Sequence, residues 1–415
     1  MYQSPLLEAH LRVLERLAAH RRDHAQRASE VRGDDVDRSA ALSETELETA
    51  PWGVVDDGGS PACQIILDYG ELEAEYASLR RGVAIFDRSD RVVLELRGED
   101  AGDLLDRLVS NKMIEGSAVV QAFILERIGR ILADVRIIRL DDRMLLECDR
   151  TDGNRVVSVL EGFVFAEDVK ITDLAATHHR IDCLGPDAPA TLEHAIGTGI
   201  PGSGAIDGSI DGNEVVAFAL EAGGGSEVGE SGIGILVARD RAEAVWEHLV
   251  TNPAPGRRPV RPVGWNAFNI ARIESGRPLF HLDFGPDAIP HETGMVTQRV
   301  DFKKGCYPGQ EVVARMESRA GGRGKRRVVG VRPESQELPV SGGQVFDAEK
   351  GLAEQVGVVT SSTVSPLRGA APIALATVRA SHVKPGTRVL VNAEGETVAA
   401  VITEFDFEPP GDSDS

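Results

Sequence analysis

An α+β fold with antiparallel sheets, ending in a small all-β barrel or sandwich, is what this sequence predicts. Three observations carry it. Between Cys63 and about residue 325, apolar runs of period two alternate with helical periodicities over short loops. From Arg327 onward the helical pattern vanishes, and short strand-like runs between turns remain. The chain has 415 residues, 42% hydrophobic and 27% charged, so it can bury a large core without disulfides or structural metal. Length alone favours roughly two to three domains.

In chain order, residues 5–30 read as one amphipathic helix, with Leu7, Leu11, Leu14 and Ala18 at helical spacing. Those four make a seam for a partner or a second copy; a solvent-facing arm is the equal alternative. Residues 31–62 turn acidic, then rich in Gly, Pro and Asp, and read as a linker or mobile arm, so 1–62 stands apart from the body. LDYGELEAEYASLRRG is a helix stopped by Gly82. VAIFD and RVVLELRG are strands, and GEDAGDLLDRLVSN is a helix with an acidic first turn. AVVQAFILE, GRILADVRIIRL and RMLLECD are strands. TDGNRVVSVLEGFVF is a helix capped near Thr151 or Asp152, and VKITDLA and THHRIDCLGP return to strand. A glycine-rich stretch covers 197–234. DRAEAVWEHLV and WNAFNIARIESG are helices, and a Pro/Gly/His-rich loop spans roughly 277–298. RRVVGVRP, GQVFD, EQVGVVTSSTVSP, IALATVRA and TRVLVNAEGETVAAVITEF form an all-β unit at 326–405. The tail at 406–415 reads as disordered.

The charge balance excludes some partners. There are 66 acids against 45 bases, a formal net charge of −21, and only 7 of the bases are lysine. A lysine-poor acidic surface points to a high-salt cytoplasm, where screening weakens carboxylate repulsion; a GC-rich genome would also favour Arg over Lys. Either way the field disfavours nucleic acid and anionic membranes. No uncharged apolar leader or run of about 18 apolar residues occurs, so a cytoplasmic protein with reduced thiols is expected. Cys63, Cys148, Cys183 and Cys306 lie far apart without ligand spacing, so a classical zinc site is not expected. The first three read as small core residues. His178, His179, His281 and His291 read as ordinary polar residues.

The segment Lys304-Gly305-Cys306-Tyr307-Pro308-Gly309-Gln310-Glu311 is the most informative. A thiol between glycines, after Lys303 and Lys304, is a candidate nucleophile, metal ligand or redox group, since neighbouring ammonium groups lower a cysteine's pKa. A buried small cysteine in a domain-crossing turn is the competing reading. Between Arg299 and Arg332 ten Lys/Arg face three Asp/Glu, a basic island able to hold an anion or to salt-bridge an acidic neighbour. Asp134 interrupts the apolar strand ILADVRII and needs a partner, Arg136 for example, or a ligand. Glu230 sits between glycines in VGESGIGI, either presenting its oxygens to a ligand or shaping a polar turn. Arg272 and Glu274 are two apart on a helix and so face different ways.

KGCYPGQE resembles the signature of the YgfZ-type folate-binding proteins, relatives of the glycine-cleavage T protein. ARIESGRPLF…IPHETG, GVVTSSTVSP…IALATVRA, GVAIFDRSDR, GEDAGDLLDRLVSN and GRILADVRII are similar to segments of that superfamily, and the resemblance covers roughly 63–405. It implies a cloverleaf around bound tetrahydrofolate, with two intertwined α+β folate-binding subdomains over 63–325 and a C-terminal antiparallel β-barrel over 326–405. It further implies that Glu230 accepts the pterin's paired N–H groups, that Arg272 meets the folate, and that Asp134 lies near the folate nitrogens that carry the one-carbon unit. Lys304, Tyr307 and Gln310 of the motif are assigned to the same ligand. Glu227 and Val228 stand where the T protein's G-Y-T-G-E turn has Tyr and Thr. Two functions follow: a folate-binding protein supporting iron–sulfur client proteins through Cys306, or a folate-dependent aminomethyltransferase or demethylase relying on Asp134 and Glu230. The cysteine motif favours the first, the two acids the second.

Overall fold

A computed structural model describes residues 2–32, 47–54, 61–113, 119–202, 204–220, 226–320, 324–405 and 407. The chain starts with helix α1 (Leu7–Arg32) and a hairpin of β1 (Glu48–Val54) and β2 (Pro61–Asp68). Helix α2 (Leu72–Arg81) leads into β3 (Ala84–Asp87). The chain then leaves for a second sheet: β4 (Arg91–Arg97), α3 (Ala101–Leu108), β5 (Val119–Leu125), β6 (Ile131–Arg139), β7 (Met144–Asp149), α4 (Gly153–Glu161) and β8 (Lys170–Asp173). It returns through β9 (His178–Leu184), α5 (Ala188–Ile196), β10 (Ala205–Ile210), β11 (Asn213–Ala219), β12 (Gly232–Ala238), α6 (Ala242–Thr251) and β13 (Arg261–Val263). Helices α7 (Trp265–Glu274), α8 (Val296–Arg299) and α9 (Gln310–Ala320) precede the strands β14 (Arg326–Pro333), β15 (Gln344–Asp347), β16 (Gln355–Ser365), β17 (Ala371–Arg379), β18 (Arg388–Asn392) and β19 (Thr397–Thr403).

The first sheet has the order β10-β11-β12-β9-β3-β13, and the second β5-β6-β7-β4-β8. Strands β3 and β9 are neighbours, Ala84 opposite Leu184, although the whole second sheet lies between them in sequence. This is the intertwining the resemblance implied. The last six strands close a barrel, β14-β17-β16-β15-β18-β19, whose interior is mostly valine: Val331, Val345, Val359, Val378, Val389 and Val391 are fully buried. β-Branched residues suit such a tightly curved, filled interior. The mixed α+β class with a terminal barrel is therefore the observed fold.

Some elements escaped sequence reasoning. Strands β10 and β11 fall inside the glycine-rich stretch, joined by Asp211-Gly212 with φ of 49° and 76°, the paired left-handed turn of a tight hairpin. The Gly/Asp content marked that turn, not a structureless segment. Residues 33–46, 55–60, 221–225 and 408–415, which include parts of the expected linker and tail, lie outside the described residues.

The N-terminal helix is not a separate arm. Its buried stripe is Leu6, Ala9, His10, Val13 and Leu14, while Leu11 is 38% exposed, so the expected seam of Leu7, Leu11, Leu14 and Ala18 is rotated. Leu6 and Ala9 pack with Ile85, Ile181 and Trp246. Beneath them Asp87 is buried between two imidazoles, His10 Nε2 at 2.9 Å and His179 Nε2 at 3.0 Å, and Tyr69 Oη meets His10 Nδ1 at 2.8 Å. Burial opposes the Asp87 charge, but the two histidines outweigh it and hold its carboxyl well below the usual range. The polar His10 broke the apolar periodicity that located the stripe. Among the described residues, no helix is long and apolar enough to cross a membrane.

Leu6→Ala should cost about 2–5 kcal/mol of stability by leaving a cavity under α1, whereas Leu11→Ala should cost within about 0.5 kcal/mol. Urea unfolding midpoints of the two variants check this; equal effects would mean that α1 does not dock as described.

Candidate functional site

Where the two sheets meet, eight buried or nearly buried charges form one lattice. Arg136 on β6 pairs with Glu147 on β7 and, through Nη2, with Glu227 Oε1 at 3.0 Å. Arg180 on β9 holds Glu147 at 2.9 Å and Asp182 at 2.7 Å. Arg88 grips both oxygens of Asp90 at 2.9 Å, reaches Asp182 at 2.8 Å and faces Glu227 at 3.8 Å. Arg91 lies 3.5 Å from Glu147. Guanidiniums and carboxylates balance four to four, as buried charges require. The residues sit on inward-facing strand positions, on the turn between β3 and β4, where the chain crosses from one sheet to the other, and, for Glu227, on the turn before β12.

The lattice floors a central cavity. Its lining includes Trp52 from the hairpin, Gln121 from β5, Asp134 and Arg136 from β6, Asp149, Glu227, residues 277–280, and Met295 and Arg299 at α8. It encloses about 50 Å³, well under the roughly 300–1,000 Å³ usual for ligand sites, so a bicyclic ring fits only if this wall widens. A roomier groove of about 510 Å³ runs between residues 281–288 and the barrel. Its acids are already committed, Asp283 to Arg272, Thr360 and Ser361, and Glu292 to Arg326 and the backbone N–H groups of Lys325 and Arg326.

Asp134 is half-buried, and its Oδ1 accepts from Arg299 Nε at 3.0 Å; Arg299 also bonds Gln121. The partner is thus Arg299 rather than Arg136. Glu227 is a residue sequence reasoning did not single out as a site. It leaves a tight turn in which Gly229 has φ of 80° and a Cβ would lie 2.3 Å from Ser275 Oγ. Burial would raise the Glu227 pKa, but Arg136 and Arg88 outweigh it and bring it down to about 2. Among the described residues, its Oε2 is buried with no hydrogen bond from another residue. Its flanking glutamate run, SEVGE, was the available signal.

The remaining expected site residues go elsewhere. Glu230 is 3.4 Å from Arg80 and outside the cavity lining. Arg272 is buried, bonded to Asp283 at 2.6 Å, Ser361 at 2.7 Å and Asn269 at 2.9 Å. It ties α7 to the barrel and to the loop that walls the cavity. Lys304 Nζ donates to the carbonyls of Asp106, Val109 and Asn111 at 2.5, 2.8 and 3.0 Å, plugging the C-terminal end of α3. Desolvation lowers its pKa. Tyr307 is a core residue whose hydroxyl is pushed up to about 12, chiefly by burial. Gln310 opens α9. Gly309 lies against Glu126 and Gly129, where a Cβ would come within 2.5 Å of the Glu126 carbonyl. Cys306 is exposed and outside the cavity lining, unlike the buried Cys63, Cys148 and Cys183, whose thiols burial pushes up. So of the expected residues only Asp134 lines the cavity.

At the rim, Asp149, Asp152 and His281 bring possible ligand atoms within 4.8 Å of one another. They satisfy each other or neighbours: Trp52 Nε1 and Thr151 donate to Asp149, and His281 Nε2 meets Asp152 at 2.8 Å. Burial opposes protonation of His281, but the hydrogen bond and charge of Asp152 raise its pKa.

Residues 68–304 match the GCVT N-terminal domain, and residues 326–407 match the glycine cleavage T-protein C-terminal barrel domain. The aminomethyltransferase of Saccharopolyspora erythraea is 27% identical, over 88% of this chain and 95% of that protein. That of Streptomyces coelicolor is 26% identical over 77% and 85%, and the probable aminomethyltransferase of Halobacterium salinarum 25% identical over 82% and 92%. The crystal structure of the glycine cleavage system aminomethyltransferase T from Bartonella henselae has a similar fold, with a TM-score of 0.73, 21% identity, and coverage of 90% of this chain and 97% of that one.

Ionised Glu227 has a folded-state pKa below its unfolded value. Its stability contribution is therefore complete above about pH 4.5 and drains away as pH falls toward about 2. Buried Glu147, held well below the usual range, acts with the same sign, its burial outweighed by Arg136 and Arg180. Stability measured by urea unfolding should drop across this window. Glu227→Gln should remove part of the drop, of order 3 kcal/mol; an unchanged profile would contradict the pairing.

Proposed function

The chain belongs to the glycine cleavage T-protein family, and we propose that it binds tetrahydrofolate in the central cavity and moves a one-carbon unit between an amine donor and that folate. The observation that carries this reading is the meeting of Asp134 and Glu227, from separate elements, on one cavity with Arg299 beside them. The fit is chemical. A reduced pterin offers an amino group and a ring N–H side by side, and carboxylate oxygens are acceptors for such donors. Among the described residues Glu227 Oε2 is buried with no hydrogen bond from another residue, and Asp134 has one oxygen on Arg299. Leu279, Phe280, Met295 and Trp52 supply apolar and aromatic wall for a flat ring. When bound, tetrahydrofolate supplies the nitrogens that take up the one-carbon unit.

Asp134 then has a defined task. Held by Arg299, it keeps a fixed direction, and a pre-oriented carboxylate stabilises positive charge developing on an amine. Arg299 weakens that field, so its hold on Asp134 both aims and tempers the group. Arg272 is a positioning residue in this scheme: through Asp283, which also accepts from Leu279 N at 2.9 Å, it fixes the loop that carries the apolar wall.

One observation favours a second reading, the YgfZ-type support of iron–sulfur client proteins. Cys306 is the exposed cysteine among three buried ones, on the KGCYPGQE loop, where a client surface could reach it. Its position outside the cavity lining separates it from the carboxylates, which is why the transferase reading is preferred.

Purified protein should bind tetrahydrofolate by calorimetry. Asp134→Asn should lower folate-dependent turnover of an aminomethyl donor by roughly 100-fold or more, and Cys306→Ala should leave it within about 3-fold. If instead Asp134→Asn is harmless and Cys306→Ala lowers iron–sulfur enzyme activities in cells, the second reading replaces the first.

A further inference from the structure

We infer that the N-terminal segment is part of the working site: His10 and Tyr2 are positioning residues that hold, through Asp87 and Arg150, the turn over residues 88–90 that floors the central cavity. What the cavity binds rests on the folate reading above; the hold on the turn does not. The matched family domain begins at residue 68, so the device is built from chain that precedes it.

Asp87 ends β3, and the turn follows directly. Arg88, Asp90 and then Arg91 line the cavity. The N-terminal segment reaches this turn by two routes. In the first, Asp87 Oδ2 accepts from His10 Nε2 at 2.9 Å and from Ser4 Oγ at 2.5 Å. Its Oδ1 accepts from Ser89 Oγ, within the turn, at 2.8 Å, and His179 Nε2 stands 3.0 Å away. Asp87 is ionised and therefore only accepts, so His10 carries a proton on Nε2. Each imidazole is braced from behind, His10 Nδ1 by Tyr69 Oη at 2.8 Å and His179 Nδ1 by Tyr2 Oη at 2.9 Å. Tyr2, Ser4 and His10 thus converge on one buried carboxylate. Leu6, Ala9 and Val13 would dock α1 without it. A buried charge adds a desolvation cost, and what it supplies in return is direction at the end of β3.

The second route runs through Arg150. Two guanidiniums stand against the Tyr2 ring, Arg150 at 3.6 Å and Arg239 at 4.5 Å from its centre. Arg150 donates through Nε to the Ser89 carbonyl at 2.6 Å and through Nη2 to the Arg91 carbonyl at 3.1 Å. It therefore clamps the backbone on both sides of Asp90. Tyr2 N also donates to the Ala62 carbonyl at 2.8 Å, next to Cys63, the cross-strand partner of the cavity residue Trp52.

Amide hydrogen exchange and calorimetric titration with tetrahydrofolate, both on the full chain, test this. The probes are the Arg88, Arg91 and Arg150 amides, which donate to the Arg180, Arg88 and Asp90 carbonyls around the turn. His10→Leu keeps bulk but removes the bonds; it should speed exchange at the probes at least about 10-fold and weaken tetrahydrofolate binding about as much, as for loss of a hydrogen bond to a charged group. His10→Gln, whose amide N–H reaches nearly as far as Nε2, should bring both back to within about 3-fold of native. Amides of α6, which α1 also covers, should stay within about 3-fold in both variants. Should His10→Leu fail to fold, Tyr2→Ala replaces it and should quicken the probes about 3-fold or more. Probes that are unchanged, or quickened no more than the α6 amides, overturn the inference. So does faster exchange with unaltered affinity, because the turn would then not bear on the ligand. A native protein that binds no tetrahydrofolate removes the folate reading instead, and the exchange pattern alone then decides the hold on the turn.

Discussion

The buried lattice of Arg88, Arg91, Arg136 and Arg180 against Asp90, Glu147, Asp182 and Glu227 is the constraint on which the rest of this structure depends. Charges removed from water must be matched or they unfold the protein. Here the match crosses the sheets: Glu147 belongs to the inserted sheet, Arg180 and Asp182 to the other. The seam is thereby fixed in register, because a shift of either sheet would strand several charges at once. An apolar seam of the same size could be as stable, but it would offer no charged surface to a ligand. The lattice makes the floor of the cavity polar and orders Glu227 in advance of any ligand.

The remaining walls are assembled from distant parts of the chain, each held by its own device. Trp52 comes from the hairpin after α1 and is fixed by Asp149 and by its packing on Trp265. Residues 277–280 are held through Arg272 and Asp283, which also reach Ser361 in the barrel. Arg299 sits on a short helix tethered when Ser110 Oγ donates to its carbonyl at 2.6 Å. All three units of the fold therefore bear on one small space. Ionic seams and loop anchors that look merely structural set the positions of Asp134 and Glu227 on the cavity wall.

The cysteine loop follows a different logic. Its most basic-looking member, Lys304, is spent on the carbonyl end of α3 and its tyrosine on the core, so the segment is largely a structural strap. Exposure of Cys306 is what remains for chemistry, and it lies apart from the carboxylates. Two features that look like one site in sequence are separated in space.

Much of this was legible in the amino-acid sequence. Period-two runs and amphipathic helices determined the mixed class and the terminal β unit, because alternation and helical spacing are local properties that burial reads directly. Asp134, a lone carboxylate in an apolar strand, was visible for the same reason. What the sequence left open was which way a side chain points once its neighbours compete for it. His10 looked polar and displaced the apparent stripe of α1, yet it is buried on Asp87. Glu230 and Glu227, three residues apart, differ only because Val228 is pinned and Gly229 turns left-handed. Arg272 and Lys304 looked ligand-facing until distant carboxylates and carbonyls claimed them. Those outcomes are pairings between residues remote in sequence, and only the tertiary structure, by bringing opposite charges within hydrogen-bonding range, could decide them.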